Sequence, residues 1–359
     1  MIQPPEHIKA IQPYVPGKPI EELERELGIS NSIKLASNEN PLGPSSEAMK
    51  AITDSYSDLN RYPDGAGYYL KNALSERISI SPDELILGNG SNELLDIAAR
   101  TYLQAGDEAV MATPSFVVYA MAVQSVGGRA IQVPLKDYRH DLEAMADAIT
   151  SKTKMVFIAN PNNPTGTINT KDEFDSLMEK ITDNMLVVVD EAYYEYVSAP
   201  DYADSLKHFR ANRNILILRT FSKIYGLAGL RIGYGIAKKE ILTDMNRLRE
   251  PFNTNSLAQK AALAALNDGV HVANSRKIND EGREYLYKEL STLGITYVAT
   301  EANFIYMPIK DSIAVNSSLM KKGVIIRPMG PKAIRVTIGL PEENKRFIEA
   351  LKEAISVSA

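Results

Sequence analysis

The stretch Ser222-Lys223-Ile224-Tyr225-Gly226-Leu227-Ala228-Gly229-Leu230-Arg231 follows the apolar run 215–218 after three intervening residues. Such a run, bounded by polar and glycine residues, predicts a short buried strand with Lys223 in the loop just beyond its end. A lysine amine can attack a carbonyl, and the forked guanidinium of Arg231 suits a phosphate, with the Ser222 hydroxyl beside it. The stretch therefore predicts a site for a ligand that carries both an aldehyde and a phosphate.

Strands and helices alternate on either side of that stretch, from about residue 45 to residue 246. Because the apolar runs are continuous and alternate with helical patterns, they indicate a mainly parallel sheet that is buried on both faces. The predicted strands are 84–87, 108–111, 154–158, 185–189 and 215–218, and the predicted helices are 93–103, 115–126 and 171–181.

The character of the chain changes at both ends. Five prolines in the first twenty residues predict an extended arm, followed by a helix over 20–27 that ends at Gly28. Beyond Pro251 the pattern is typical of an α+β domain, with predicted helices at 257–266 and 277–293, predicted strands at 295–300, 303–307 and 334–338, and a final amphipathic helix bearing Phe347, Ile348, Leu351 and Ile355. We expect an arm with part of the small domain in 1–44, a large domain in 45–250 and a small domain in 251–359.

Two polar loops follow predicted strands, at the sheet edge where open α/β sheets bind ligands. In Gly88–Glu93, backbone N–H groups and the Ser91 hydroxyl predict an anion site at a helix start; the alternative is a plain tight turn with Ser91 as N-cap. A dinucleotide fingerprint is excluded, because its third glycine would fall on Glu93. The loop Asn160–Gly166 can aim an amide at a ligand, or it is only a cluster of β-turns.

Asp190 comes directly after a predicted buried strand, where a carboxylate needs a partner to offset its desolvation. A protonated pyridine nitrogen is one such partner, and it keeps the ring an electron sink. Tyr193 could donate to the phenolic oxygen of that ring. The alternative is a structural ion pair with an arginine. Together with Lys223 and Arg231, these residues indicate pyridoxal phosphate.

The combined motifs resemble those of the fold-type I pyridoxal-phosphate-dependent aminotransferases, most specifically in Asn160–Gly166, 190–193 and Ser222–Arg231. The resemblance covers almost the whole chain, from 13–17 and 36–41 to 335–337. It implies an α/β fold, with a large domain whose mainly parallel seven-stranded sheet lies between helices, plus a smaller α+β domain.

The resemblance also implies roles for individual residues. Lys223 would carry the cofactor aldehyde and act as general base, Asp190 would pair with the pyridine nitrogen, and Tyr193 would complete the catalytic set. Phe116 would stack on the ring, where relatives often have tyrosine. The cofactor-binding residues would be Ser91, Asn92, Phe116, Asn163, Asp190, Tyr193, Ser222, Lys223, Arg231 and, from the partner subunit of a homodimer with shared active sites, Tyr62.

The predicted binding of substrate depends on two arginines in the C-terminal part of the chain. The resemblance implies that Arg327 and Arg335 grip the anionic group of the substrate, with Tyr14 and Asn40 beside them. For either arginine alone, the alternative is an edge strand kept soluble by its charge. The segment 328–334 is shorter than in some relatives, so the shape of the outer pocket stays open.

Among such enzymes the resemblance is strongest to those acting on L-histidinol phosphate. It implies ping-pong transamination with 2-oxoglutarate, giving imidazole acetol phosphate and L-glutamate, as in histidine biosynthesis. Three alternatives stay open: a phenylalanine or tyrosine aminotransferase, a lyase similar to threonine-phosphate decarboxylase, and a non-enzymatic sensor domain. The proline-rich, non-basic segment before the sheet region disfavours the sensor, which would need a DNA-binding module there.

Composition narrows the remaining classes of function. The net charge of −5 offers no basic footprint for nucleic acid, and the four widely spaced histidines and absent cysteines predict no metal site. The N-terminal residues lack the features of a signal peptide, and no apolar run approaches a membrane span. We therefore expect a cytoplasmic enzyme without a membrane partner.

Overall fold

A computed structural model describes residues 2–356. Met1, at the start of the predicted arm, and residues 357–359, at the end of the predicted small domain, lie outside the described residues. The helices are α1 Glu6–Lys9, α2 Ile20–Leu27, α3 Ser46–Thr53, α4 Tyr68–Ile78, α5 Ser91–Tyr102, α6 Val118–Ser125, α7 Leu142–Asp147, α8 Lys171–Lys180, α9 Ser205–Arg210, α10 Lys239–Met245, α11 Ser256–Asn267, α12 Gly269–Thr292, α13 Ser312–Lys321 and α14 Pro341–Ser356. The strands are β1 Ile33–Lys34, β2 Leu85–Gly88, β3 Glu108–Thr113, β4 Arg129–Pro134, β5 Thr153–Ala159, β6 Leu186–Asp190, β7 Ile215–Thr220, β8 Gly233–Ile236, β9 Phe304–Pro308, β10 Val324–Ile325, β11 Arg327–Pro328 and β12 Ala333–Thr337.

A seven-stranded sheet organises the middle of the chain, in the order β2-β8-β7-β6-β5-β3-β4. Only β8 runs antiparallel to its neighbours. The central strands β5, β6 and β7 lie parallel and side by side, so their C-terminal ends meet at one edge of the sheet. This confirms the predicted fold class, and it brings the segments after Ala159, Asp190 and Thr220 together.

Apolar side chains cover both faces of this sheet, as the continuous apolar runs predicted. Along β6 and β7 alternate residues enter opposite cores: Val187 and Ile217 pack on one side, and Val188 and Leu218 on the other. All four are fully buried. The sheet is therefore a rigid platform for the loops at its edge.

A second core organises the C-terminal part around the antiparallel sheet β11-β12-β9 and helices α12, α13 and α14. The short strand β1 pairs in parallel with β10, so part of the N-terminal segment contacts this C-terminal part of the chain. The final amphipathic helix is confirmed, since Phe347, Ile348 and Leu351 are buried in that core.

Two local predictions need correction. The arm is not extended throughout, because the proline-free stretch after Pro5 forms the helical turn α1. The predicted strand 295–300 contributes only a single bridge, Val298 to Tyr306. The backbone of this segment forms a hydrogen bond outside the sheet instead: Thr300 N–H donates to Tyr287 Oη at 2.7 Å. By contrast, α2 ends as predicted, at Gly28 in the left-handed conformation with φ 64°.

The packing of α11 bears on the predicted domain boundary at 250/251. Its buried alanines, Ala258, Ala261, Ala262 and Ala265, lie in the same core as Ala48 of α3 and the large sheet. Leu286 and Leu290 of α12 lie instead in the core of the small domain. We therefore infer that the change from one core to the other occurs within α12. In the part of the chain that the structure describes, no helix combines the length and apolarity needed to cross a bilayer.

Candidate active site

A cavity of about 280 Å³ opens at the C-terminal edge of the central strands, between the large sheet, the N-terminal arm and the β11–β12 hairpin. Most of the residues predicted to form the site line it: Tyr14, Ser91, Asn92, Phe116, Asn163, Asp190, Tyr193, Ser222, Lys223, Arg231, Arg327 and Arg335. The predicted site residues Asn40 and Tyr62 do not line this cavity.

One end of the cavity is built to receive an anion. Helix α5 starts at Ser91, and its N-cap is Gly90, which has no side chain to satisfy the first N–H groups. A Cβ at Gly90 would stand 2.5 Å from Arg231 Nη2, and one at Gly233 would stand 2.5 Å from the Ser91 nitrogen. The two glycines therefore let a guanidinium and free backbone donors converge, as a phosphate requires.

A buried carboxylate lies deeper in the cavity. Asp190 Oδ2 accepts from Tyr119 Oη at 2.8 Å, and Oδ1 accepts from the Ala192 N–H at 3.1 Å. Burial raises the pKa of Asp190, while Tyr119, Ala192 and Lys223 act against that rise. Among residues 2–356, no lysine or arginine forms an ion pair with Asp190. The carboxylate is therefore available to a cationic ligand.

The alternative role for Asp190, an ion pair with an arginine, belongs to its neighbour instead. Glu191 Oε2 accepts from Arg219 Nε at 2.8 Å, and both side chains are buried. The Arg219 guanidinium lies 3.7 Å from the centre of the Tyr194 ring. Glu191 thus has the structural role, and Asp190 faces the cavity.

Lys223 lies between the two ends, with its side chain partly buried. Its Nζ donates to the Ser37 carbonyl at 3.2 Å and lies 5.5 Å from the centre of the Tyr193 ring. Burial lowers the pKa of Lys223 to about 8, and the nearby Arg335 and Arg231 act in the same direction. A large fraction of this amine is therefore neutral, and so nucleophilic, slightly above neutral pH.

Two arginines face each other across the β11–β12 hairpin, where Arg327 pairs with Arg335. Arg335 is buried and donates to Asn163 Oδ1 at 2.5 Å and to the Ala36 carbonyl at 2.7 Å, but its Nε has no partner among the described residues. Arg327 donates to the Val15 carbonyl at 2.7 Å. Two like charges in this position need an anion to offset their repulsion.

The hydroxyl group of Tyr193 has a hydrogen-bond partner that was not predicted from the sequence. It accepts from Asn38 Nδ2 at 2.9 Å, and both residues are buried. Tyr119, the partner of Asp190, was missed as well, although it lines the cavity and meets Phe116 edge-on with ring centroids 5.6 Å apart. The signal that the sequence carries for Tyr119 is a phenol in the apolar first part of a helix, three residues after Phe116.

The remaining two predicted residues occupy other places. Asn40 is buried beside the cavity, and its Nδ2 donates to the Ile224 carbonyl at 2.7 Å and to Ser275 Oγ at 2.9 Å. It thus holds the backbone next to Lys223. Tyr62 is 82% exposed and stacks on Phe252 at a centroid distance of 4.7 Å. From there its hydroxyl does not reach the cavity of its own chain.

The loop Asn160–Gly166 is predicted to direct a side-chain amide toward a ligand. Hydrogen bonds of two of its asparagines, Asn160 and Asn162, fix its conformation. Asn162 Oδ1 accepts from Ser115 Oγ at 2.9 Å and lies 3.1 Å from His140 Nε2. Asn160 Oδ1 accepts from the Asn169 N–H at 2.9 Å. Within the described chain, Asn163 Nδ2 has no protein acceptor, so its N–H groups remain free for a ligand in the cavity.

These observations fit pyridoxal phosphate. The glycine-lined anion end suits the phosphate, and Asp190, which forms no ion pair with a lysine or arginine among residues 2–356, suits a protonated ring nitrogen. Lys223 supplies an amine of lowered pKa between the two. The donor set therefore matches each polar group of this cofactor.

The comparisons with known proteins agree with the geometry. The family model "Aminotransferase class I and II" matches residues 30–351. The histidinol-phosphate aminotransferase of Moorella thermoacetica is 53% identical over 98% of this chain and 92% of its own length. Histidinol-phosphate aminotransferase 2 of Hydrogenovibrio crunogenus is 46% identical over 98% and 96%.

A solved structure extends the match to three dimensions. The histidinol-phosphate aminotransferase of Sinorhizobium meliloti, in complex with pyridoxal-5′-phosphate, superposes with a TM-score of 0.91 at 27% identity, covering 99% of this chain and 98% of that one. With the family model spanning both domains and two relatives at 53% and 46% identity, the chain belongs to the class I and II aminotransferases, in the group of the histidinol-phosphate aminotransferases.

Proposed function

We propose that this enzyme transfers the amino group of L-histidinol phosphate to 2-oxoglutarate, giving imidazole acetol phosphate and L-glutamate in histidine biosynthesis. The observation that carries the proposal is the opposed pair Arg327 and Arg335 in the same cavity as Lys223 and Asp190. The relatives that match the whole chain bear the name of this activity.

Pyridoxal phosphate supplies an aldehyde and a protonated ring that accepts electrons from the substrate carbon. The phosphate would be held by Ser91, Asn92, Ser222 and Arg231, and the ring by Asp190, Asn163 and Tyr193 with Phe116 against its face. Lys223 would hold the cofactor through its aldehyde. Its amine would also serve as the general base that moves the proton from the substrate Cα to that aldehyde carbon.

One anion pocket would serve both half-reactions. Histidinol phosphate has a phosphate where an amino acid has its α-carboxylate, and either group can accept from the planar forks of Arg327 and Arg335. Arg335 Nε is buried and has no hydrogen-bond partner in residues 2–356, which leaves a donor for such a group. Tyr14 lies beside them, with its ring centre 5.5 Å from the Arg327 guanidinium carbon.

We further propose that the enzyme acts as a homodimer in the cytoplasm. Tyr62 is exposed on its own chain, and a partner subunit would bring its hydroxyl group to the cofactor phosphate. The exposed aromatic residues Tyr56, Tyr68 and Tyr69 lie nearby in the sequence and support a contact there.

The test is a half-reaction screen on the purified holoenzyme. We expect histidinol phosphate to convert the bound cofactor from its aldehyde form to its amine form, as followed by absorbance, faster than phenylalanine, tyrosine or threonine phosphate does. Adding 2-oxoglutarate should restore the first spectrum. Lys223→Ala should abolish the conversion, because the general base is gone, whereas Lys310→Ala, an exposed lysine outside the cavity, should behave like the wild type.

Three outcomes would contradict the proposal. Faster conversion by phenylalanine or tyrosine would indicate an aromatic aminotransferase. Release of carbon dioxide from threonine phosphate without a keto-acid acceptor would indicate a lyase. Wild-type turnover by Lys223→Ala would remove the role assigned to Lys223.

A further inference from the structure

The hydroxyl group of Tyr193 has a neighbour with no assigned role. Asn38 Nδ2 donates to Tyr193 Oη at 2.9 Å, and Asn38 is only 1% exposed. A phenol has one hydrogen to donate. Because its oxygen already accepts from Asn38, the hydrogen of Tyr193 must point away from that amide. Within the described chain this hydroxyl donates to no protein acceptor, and Tyr193 lines the cavity.

Thr337 fixes the orientation of the Asn38 amide. The Asn38 backbone N–H donates to Thr337 Oγ1 at 2.9 Å, so the threonine hydroxyl must direct its own hydrogen elsewhere. It donates to Asn38 Oδ1 at 3.3 Å. This identifies Oδ1 as the acceptor end of the amide, and the donor end Nδ2 therefore faces Tyr193.

The backbone at Asn38 is also held in place. Its φ is 56°, in the left-handed region where asparagine is tolerated better than most residues with a side chain. Asn303 Nδ2 donates to the Asn38 carbonyl at 3.1 Å. Asn38 is thus anchored on the small domain by Thr337 and Asn303, while Tyr193 belongs to the large domain.

We propose that Asn38 is a positioning residue that directs the O–H of Tyr193 into the cavity, toward the ring oxygen of the cofactor. The inference rests on the proposed function, because it assumes that Tyr193 donates to that oxygen. Asn38 also lowers the pKa of Tyr193, against the larger rise caused by burial, and a phenol of lower pKa is a stronger donor. Removing the Asn38 amide would remove both effects: the direction of the Tyr193 O–H and its strength as a hydrogen-bond donor.

The test is a substrate-free pH titration of the holoenzyme, which measures the pH midpoint of the visible absorbance change of the bound cofactor. A donor to the ring oxygen stabilises its ionised form, so losing that donor raises the midpoint. We expect Tyr193→Phe to raise it by about one pH unit, a tenfold change in proton affinity. Asn38→Gly keeps the left-handed backbone, and Asn38→Asp keeps the shape but replaces the donor with an acceptor. Each should raise the midpoint by about half a unit or more.

Asn31→Asp is the matched control. Asn31 has a nearly identical φ of 59° but is exposed and outside the cavity, so its substitution should leave the midpoint unchanged. In a Tyr193→Phe background, neither Asn38 variant should add a further shift, because the hydroxyl group that Asn38 directs is absent.

The inference fails if both Asn38 variants keep the wild-type midpoint while Tyr193→Phe moves it. It also fails if the Asn38 shifts persist in the Tyr193→Phe background, since Asn38 would then act by another route. Neither result affects the proposed function, which is judged separately by turnover of histidinol phosphate. A wild-type protein that binds no cofactor would overturn both.

Discussion

The amine of Lys223 lies where burial and neighbouring arginines destabilise its charged form. Its partly buried side chain has Arg335 and Arg231 nearby, and only Glu39 and Asp190 favour its charged form. Glu39 in turn is occupied by Lys34, at 2.8 Å. The protein therefore supports the neutral form of the lysine, which a nucleophile and general base requires, at some expense in the stability of the cofactor-free state.

The destabilising effect of burying the Lys223 amine predicts how the stability of the cofactor-free protein depends on pH. The pKa of Lys223 is about 8 in the folded chain and higher in the unfolded chain, so the unfolded state binds more protons between about pH 8 and pH 10.5. The free energy of unfolding of the cofactor-free protein should thus rise with pH in this window, relative to Lys223→Met, by about 3 kcal/mol at most. Urea unfolding of both proteins across the window measures this difference. A difference independent of pH would show that Lys223 ionises normally.

Residues of the site could be predicted from sequence when their position alone implied chemistry. Asp190 is the last residue of an apolar strand and Lys223 lies in the loop just after another, and the C-terminal ends of parallel strands meet at one edge of the sheet. Asn38 and Tyr119 could not be predicted in this way. Their importance comes from hydrogen bonds to Tyr193 and Asp190, which lie 155 and 71 residues away in the chain, and no local pattern records such contacts.

The β11–β12 hairpin is an element whose function depends on its register. A shift of one residue would turn either arginine to the other face of the sheet, whereas the observed pairing sets Arg327 opposite Arg335. Arg335 uses both terminal nitrogens within the protein, on Asn163 and Ala36. It therefore links the substrate end of the cavity to the asparagine proposed to hold the cofactor ring.

Replacing Arg335 with lysine keeps the charge but removes the fork. We expect Arg335→Lys to raise the Michaelis constants for both histidinol phosphate and glutamate about tenfold to a hundredfold, which corresponds to roughly 1.5–3 kcal/mol for a hydrogen bond to a charged group. Steady-state kinetics provide the measurement. Arg247→Lys is the control, because that side chain is 74% exposed. Unchanged constants for both substrates would exclude Arg335 from anion binding.

Among the strands of the large sheet, sequence reasoning found the buried parallel ones and missed the other two. β4, Arg129–Pro134, lies at the edge of the sheet and is largely exposed, so it lacks a continuous apolar run. β8, Gly233–Ile236, has two glycines among four residues, a composition that disfavours strands in general. Here glycine is needed, because a Cβ at Gly233 would stand 2.5 Å from the Ser91 nitrogen.

At the scale of the whole molecule, the single chain leaves an aromatic surface exposed. Tyr62 and Phe252 stack there in the open, and Tyr56, Tyr68 and Tyr69 are all more than half exposed. We define these five residues as the aromatic surface. Exposed aromatic residues that pack in pairs, as Tyr62 does with Phe252 and Tyr68 with Tyr69, are typical of interaction sites, and the proposed partner is a second copy of the chain.

Mixing an inactive variant with one that binds the cofactor weakly tests the shared site. Lys223→Ala removes the amine, and Tyr62→Phe removes the hydroxyl group that we expect to reach the partner's cofactor, weakening phosphate binding by roughly 1.5–3 kcal/mol. A hybrid dimer contains one site with both groups intact. At a cofactor concentration that leaves the Tyr62→Phe protein mostly unloaded, activity should therefore return after the two are unfolded and refolded together. Tyr69→Phe, also exposed, is the control for Tyr62→Phe. No recovery from a mixture proven to contain hybrid dimers would contradict a shared site.

The change in sequence pattern predicts a domain boundary at 250/251, but it does not predict which core buries α11. Helix α11 is rich in alanine, and its periodicity shows only that one face is buried, not which core buries it. Ala258 and Ala262 pack with the large sheet. Only the three-dimensional arrangement reveals that pairing.

The hydrogen bond from Arg327 to the carbonyl of Val15, next to Tyr14 in the lining of the cavity, has a practical consequence for handling this protein. The N-terminal residues of enzymes are commonly truncated or fused to purification tags on the assumption that they are dispensable. In this enzyme, removing about the first fifteen residues would remove part of the cavity wall and free the Arg327 guanidinium, which we propose binds the substrate anion. A shortened version would then report altered selectivity that the natural chain does not have.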